Sequence, residues 1–361
     1  MNLEALEKIL AALPGYRRVQ ARRALYRDLV PSWLEATALP LELRRELEEA
    51  VPLPASAEFF PEADGSAERA LVVLGDGEAV ETVLMRHGSG RRTVCVSSQA
   101  GCALGCSFCA TAERGWSRNL SAGEIVGQVR LVARRLAPAG EKVGNVVFMG
   151  MGEPLLNYEA VAEAVRELNA ADGFNIAARR ISISTAGIVP GIQRLAAFPL
   201  QVNLAVSLHA PDDRRRKELM PLAGKVPLRR LLAAVRDYQA RTNRRVMFEY
   251  ILIDGFNDNT ADARALGGLL RKDGPRLFLV NLIPCNPARG FRAPPEARIE
   301  GFRRALEGEG VSVTRRYRFG RGVRGACGQL AGRDEIEEVE DGNVHDRESM
   351  PGAAPPGGRS G

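Results

Sequence analysis

The sequence predicts an α/β fold: a parallel sheet covered by helices, built as an open, partial β/α barrel behind a small helical N-terminal domain. Three observations carry this. From about Arg92 onward, short apolar, β-branched runs alternate with helical patterns, the mark of repeated β-α units. About six such units fit in some 230 residues, fewer than the eight of a closed barrel. Polar and glycine-rich breaks ("SSQAGC", "GMGEP", "STAGI", "SLHAP", "IPCNP") follow consecutive strands, and in barrels functional groups gather at those strand ends.

Taken in chain order, the first ~50 residues are expected to be helical, because apolar residues recur at three and four in "LEALEKILAAL", "VQARRALYRDLV" and "LPLELRRELEEAV". The opening "MNLEALEKILAAL" mixes acidic residues among its leucines and reads as an amphipathic helix, not a signal peptide. "PLPASAEFFPEADGS" is expected to be a connector, and "RALVVLGDGEAVETVLMRH" a hairpin turning at "GDG". Strands are predicted at "TVCVSS", "NVVFMG", "RISIST", "VNLAVSL", "VMFEYILI", "LFLVNLI" and "VSVTRRY". Helices are predicted at "SAGEIVGQVRLVARRL", "NYEAVAEAVRELNA", "PLRRLLAAVRDYQARTN" and "TADARALGGLLRKD". The boundaries that follow are 1–60 for the helical domain, 61–91 for linker and hairpin, 92–332 for the barrel and 333–361 for a tail. That tail holds eight acidic and three basic residues and is then rich in Pro and Gly, so it is expected to be disordered.

The composition, 45% hydrophobic and 26% charged, is that of a soluble globular protein, and no apolar run is long enough to span a bilayer. A cytoplasmic location is expected, where clustered thiols more often bind metal or do chemistry than form structural disulfides. The net charge is +6, and arginines bunch in "YRRVQARR", "VARR", "AARR", "DDRRRK" and "TRRYRFGRGVR". Bunched guanidinium groups suit a nucleic-acid backbone; solvated helix faces are the alternative.

Four of the six cysteines fall in "CVSSQAGCALGCSFCATAERG". Cys102, Cys106 and Cys109 are spaced Cys-x3-Cys-x2-Cys, while structural zinc sites usually need four ligands, often as two Cys-x2-Cys knuckles. Three thiolates on one loop suit a [4Fe–4S] cluster with one iron left open. Cys95 lies on a predicted strand, as a small core residue or a working thiol. Cys327 lies in the Gly-flanked "GVRGACGQLAG" beside arginines, a setting that favours a reactive thiolate.

The spacing, with Phe108 before the last cysteine, resembles the signature of radical S-adenosylmethionine (SAM) enzymes. "FMGMGEPLLN", with Gly152 and Glu153, is similar to their element that meets the methionine ammonium of SAM. "RTVCVSSQAGCALGCSFCATAERGWSRNL", "MGMGEPLLN", "ISISTAGIVP", "AVSLHAPDD", "NLIPCNP" and "GACGQLAG" together resemble the RlmN/Cfr family of radical-SAM RNA adenine methyltransferases, in order across residues 81–332. "YRRVQARRALY" and "TALPLELRREL" resemble that family's helical, RNA-binding accessory domain.

The resemblance implies a radical-SAM barrel and two cofactors, a [4Fe–4S] cluster and SAM. It implies that Cys327 is first methylated, then loses a hydrogen atom to the radical made from a second SAM, and adds to the adenine. Cys95 is implied to remove the ring proton and attack the sulfur of Cys327, leaving a disulfide. Glu81 matches a carboxylate beside the adenine, and Ser184, Ser207, Leu208, His209 and Asn286 match SAM contacts; Cys285 is read as a packing residue. The implied reaction is methylation of an adenine at C2 in 23S rRNA, with tRNA as a second substrate in some members and a flavodoxin or ferredoxin as electron donor. The rivals are the Cfr-type reaction at adenine C8, a radical-SAM enzyme acting on protein, and a zinc-stabilised RNA-binding module without catalysis.

Overall fold

The computed structural model describes residues 1–53, 57–316 and 319–331; the acidic tail lies outside the described residues. Helices α1 (Leu3–Ala11), α2 (Gly15–Tyr26) and α3 (Leu41–Ala50) form the N-terminal unit around Trp33, whose indole donates to the Val51 carbonyl at 2.9 Å. Leu6, Leu10, Leu25 and Leu47 close this small core. Each recurs at helical spacing on one face, which is why the apolar pattern was readable.

Strands β1 (Glu58–Pro61), β2 (Ala67–Val73), β3 (Ala79–Arg86) and β4 (Arg92–Val96) then run antiparallel in sequence order. β2 and β3 are the expected hairpin. The stretch read as a connector instead contains β1, because Phe59 and Phe60 suit an edge strand and Pro61, which lacks an N–H, sits at its end. A short ribbon follows, β5 (Gln99–Gly101) with β6 (Trp116–Asn119), enclosing the cysteine loop and the single-turn α4 (Thr111–Arg114).

The barrel proper alternates α5 (Ala122–Leu136), β7 (Asn145–Phe148), α6 (Tyr158–Asn169), β8 (Ile181–Thr185), α7 (Val189–Ala196), β9 (Asn203–Ser207), α8 (Asp213–Leu219) and α9 (Leu228–Thr242). It continues with β10 (Val246–Leu252), α10 (Thr260–Asp273), β11 (Phe278–Pro284), α11 (Glu296–Gly308) and β12 (Val313–Arg315). From β4 through β7, β8, β9, β10 and β11 to β12 every neighbour is parallel. Among the described residues no ladder joins β12 to β1, so the ten-stranded sheet is an open barrel. All seven predicted barrel strands are present. Helices α7, α8 and α11 fill the remaining connections expected to be helical; α7 opens with Val-Pro-Gly and buries a stripe of Val189, Ile192 and Leu195, whereas α8 is nearly all charged.

Strand alternation sorts the two faces of the sheet. On β8, Ile181, Ile183 and Thr185 are buried while Ser182 and Ser184 are half-buried. The helical unit is fastened to the barrel by Arg22, which reaches Glu7, Glu167 and Asp172, and by Arg130 of α5, which donates to the carbonyls of Leu25 and Val30. Among the described residues no helix is long and apolar enough to cross a membrane.

Candidate active site

The cysteine loop hangs between β5 and α4 at the strand ends. Cys102 N–H donates to the Gly115 carbonyl at 2.8 Å and Ser107 N–H to Leu219 at 2.9 Å, so backbone bonds fix the loop's shape. Gly101 stands at φ +79, and a Cβ there would lie 1.9 Å from the Gly115 oxygen, so no larger residue fits before Cys102. Cys102, Cys106 and Cys109 are half-buried and line one open cleft of about 990 Å³, together with Gly150, Gly152, Glu153, Ser184, Ser207 and His209.

Among the described residues no group of three or more His, Cys, Asp or Glu is arranged to hold a single metal ion. A zinc ion with Zn–S bonds of about 2.3 Å would need that convergence. A cubane cluster does not, because each thiolate binds a different iron, and three cysteines facing one cleft are the donor set it needs. Burial pushes the Cys102 thiol up to about 11 and Cys106 higher still, so both thiolates call for a cationic partner.

Across the cleft, the loop after β7 is drawn against β4 and β5. A Cβ on Gly150 would lie 2.7 Å from the Val96 carbonyl, and one on Gly152, at φ +95, would lie 2.5 Å from the Gln99 Cβ. Glu153 is buried; its carboxylate accepts from Leu155 N–H at 3.0 Å and Ala186 N–H at 2.7 Å, and Gln99 accepts from its own N–H at 2.8 Å. Burial raises its carboxyl to about 7, because two amides do not replace the water or cation that a buried carboxylate wants. An ammonium group in the cleft would supply that charge.

His209 lies under the cysteine loop at φ +63, its ring 5.0 Å edge-on from that of Phe108. Its Nδ1 accepts from Ile251 N–H at 3.1 Å, and burial, with Arg216 nearby, pushes its pKa down to about 3, so the ring is neutral. Leu208 does not face the cleft: its side chain is in the core and its N–H donates to the Glu249 carbonyl. Cys285 packs beneath the loop with Met220, Ile251 and Ile253.

A second, smaller cavity of about 510 Å³ adjoins the first. It is lined by Cys95 and Cys327 together with Met149, Asn286, Arg316 and Phe319. Cys95 sits mid-sheet between Val83 and Val147, and burial pushes its thiol up to about 12, with Cys327 adding to the shift and Arg316 opposing it. Cys327 lines both cavities, and the thiols of both cysteines are free. The Cys327 carbonyl accepts from Asn286 Nδ2 at 3.1 Å, while Asn286 Oδ1 is buried without a partner among the described residues.

Glu81 lines neither cavity and is not an exposed strand residue. It is buried on β3, paired with Arg69, and accepts from Ala331 N–H at 2.7 Å, just past Cys327. Two residues escaped notice in the sequence. Arg316, the residue just after β12, is held near Glu249 at 3.9 Å and Met149 Sδ at 3.0 Å. Glu249 is a buried carboxylate on β10 that accepts from Asn281 at 2.9 Å; a lone acid inside the apolar run "VMFEYILI" was the signal for it.

The arginine bunches divide. Arg22, Arg135, Arg215 and Arg315 are paired with acids of the chain, and Arg216 is buried, donating to the carbonyls of Ala186 and Ser207. These are held by groups of the chain itself, Arg22 and Arg216 in buried positions that are not solvated helix faces. Arg18, Arg179, Arg180 and Arg321 stay exposed.

Residues 96–266 match the model of the radical SAM superfamily. The chain is 46% identical to a protein of Chloroflexus aurantiacus named probable dual-specificity RNA methyltransferase RlmN, over 93% of this chain and 92% of that one. It is 42% identical to ribosomal RNA large subunit methyltransferase N of Nitrosopumilus maritimus, over 91% and 96%. The crystal structure of a radical SAM methyltransferase from Sphaerobacter thermophilus superposes with a TM-score of 0.87 at 47% identity, covering 92% of this chain and 98% of that one. Likeness at this level over nearly the whole length, with the cysteine loop and its cleft in place, shows that the chain belongs to the RlmN family of radical-SAM RNA methyltransferases.

Proposed function

We propose that this enzyme methylates C2 of an adenine in 23S rRNA, and an adenine in tRNA as a second substrate, through a methyl group carried on Cys327. The observation that carries the reading is the position of Cys327, open on one side to the cleft of the three cysteines and on the other to the chamber of Cys95. A thiol so placed can receive a carbon in one cavity and be released by a second thiol in the other. Names of the relatives given above support RNA as substrate.

Cys102, Cys106 and Cys109 would hold a [4Fe–4S] cluster, and Gly152, Glu153, Ser184, Ser207 and His209 would surround SAM, with Glu153 on its ammonium. Bound there, such a cluster would supply the electron for reductive cleavage of SAM. The chain's own part lies in its sulfurs. Cys327 takes a methyl group, gives up one hydrogen atom from it, and forms a carbon–carbon bond to C2, an electron-poor position with no lone pair for an ordinary methyl transfer. The adduct so formed is still a radical and gives back one electron, matching the one spent on cleaving SAM; Cys95 removes the C2 proton, and its sulfur then attacks that of Cys327. The S–C bond breaks, the methylene carbon keeps the pair and takes a proton, and the two sulfurs remain as a disulfide.

Glu81 acts in this reading by holding the Cys327 segment, and Asn286 by holding its carbonyl and offering Oδ1 to a ligand. The helical N-terminal unit and the exposed arginines would bind the RNA backbone, a small flavodoxin or ferredoxin would supply electrons, and the enzyme would work in the cytoplasm. Expression in a bacterium lacking its own C2 methyltransferase, followed by nucleoside mass spectrometry of rRNA and tRNA separately, tests the proposal. 2-Methyladenosine is expected; 8-methyladenosine would move the reaction to C8, and neither isomer from cluster-loaded protein would refute the substrate.

A further inference from the structure

The segment that carries Cys327 forms short turns, closed by Gly325 N–H on the Gly320 carbonyl at 2.7 Å and Gln329 N–H on the Ala326 carbonyl at 3.0 Å. Gly320, Gly322, Gly325 and Gly328 space it at intervals of two and three residues, and Gly320 and Gly328 stand at φ +72 and +82. Such a chain loses much entropy on being fixed, so its position must be imposed from outside. The downstream limb is tied at several points: Cys327 to Asn286, the Gly328 carbonyl to Ala110 N–H at 2.7 Å, the Leu330 carbonyl to Thr111 at 2.6 Å, and Ala331 to Glu81. These ties come from the site itself.

The upstream limb is held from elsewhere. At the tip of the β1–β2 hairpin, Glu62 accepts from Gly320 N–H at 2.6 Å through one carboxylate oxygen and from Gly322 N–H at 3.1 Å through the other. The tip is itself built: Glu62 N–H donates to the Ala67 carbonyl at 2.9 Å, Ser66 Oγ donates to the carboxylate at 3.2 Å, and Ser66 N–H donates to Asp64 at 2.8 Å. A carboxylate gripping two alternate amides of a glycine-rich turn is the anchor such a turn can accept without a side chain of its own.

We infer that Glu62 is a positioning residue for Cys327, its two amide bonds fixing the upstream limb so that the thiol sits at the opening between the two cavities. The inference rests on the role proposed for Cys327. Glu62 touches neither thiol; it acts through the backbone of Gly320 and Gly322.

Glu62→Gln tests it, because the replacement is isosteric but turns an amide donor toward one of the two N–H groups. In the full-length, cluster-loaded protein, hydrogen exchange at Gly320 and Gly322 is expected to rise. Closure of the Cys95–Cys327 disulfide by diamide (two thiols give up two protons and two electrons, and diamide becomes the hydrazine) is expected to slow about tenfold, as read by peptide mapping. A displaced reacting atom is costly, so kcat should fall by about 10- to 100-fold with the KM for SAM unchanged. Glu62→Asp, which keeps both acceptors and the charge, should recover part of each loss and serves if Glu62→Gln does not fold. Unchanged exchange and closure would overturn the proposal, and so would faster exchange with closure and turnover unaffected. A Cys327→Ala enzyme that still methylates RNA would instead defeat the cysteine route, leaving the exchange and closure results of Glu62 standing.

Discussion

The two cavities use the same element in opposite settings. In the open cleft, three half-buried thiols stand on a loop whose backbone is bonded at both ends, facing a buried carboxylate. In the smaller chamber, one thiol is deep in the sheet and its partner rides on a glycine-rich segment, with a guanidinium beside both. On the function proposed above, the sulfurs that would hold a cluster have a bonded loop and access, and those that would react have a companion thiol, a cation and a glycine-rich segment.

The sharpest break between the cavities should come from removing one sulfur in each. Cys106→Ala is expected to lose iron, colour and all methylation, whereas Cys327→Ala should keep iron content and absorbance and lose methylation completely; iron analysis beside nucleoside mass spectrometry separates them. Within the chamber, Cys95→Ala should halt the reaction after the carbon–carbon bond has formed. A protein–RNA species would then persist on a denaturing gel and vanish in the Cys95→Ala, Cys327→Ala double variant.

The cleft's carboxylate gives a smaller effect. Glu153→Gln removes the charge facing the SAM ammonium and should weaken SAM binding by about 2–3 kcal/mol, roughly 30- to 150-fold. Because the carboxyl is held up at about 7 and only its ionised form attracts an ammonium, wild-type affinity should rise from pH 6 to pH 8. Calorimetry on the reconstituted protein should show that rise, and Glu153→Gln should be flat.

The smallest effect belongs to His209. Its folded pKa of about 3 lies below the usual value, so the unfolded chain binds the extra proton first as pH falls below 6.5. Its contribution is complete above 6.5 and declines toward 3. The stability gap between wild type and His209→Asn should therefore shrink by about 2 kcal/mol between pH 7 and pH 5, measured by denaturant titration.

Much of this was legible in the sequence, because parallel barrel strands are nearly continuous apolar runs and the three clustered thiols are local in the chain. Gly152, at positive φ, and Glu153 were legible for the same reason. What was not legible depends on long separations. Nothing in "EFFPEADG" says that Glu62 meets Gly320, because that contact is made by the last segment folding back on the first hairpin. Arg316 was hidden among arginines whose fates differ: its neighbour Arg315 pairs with Glu296 at the surface, while Arg316 turns inward. Leu208 belonged to a motif whose backbone faces the site while its side chain serves the core.

From β4 onward the barrel strands lie in the sheet in the order in which they occur in the chain, and the segment after β12 returns to Glu62 and Glu81. A ribosome making this protein thus lays down the three-cysteine loop, and both glutamates, long before Cys327 emerges. Domains fold as units, and the cleft of the three cysteines is lined also by Cys327, Gly328 and Leu330. The walls of that cleft are therefore finished only by the last part of the barrel to be synthesised.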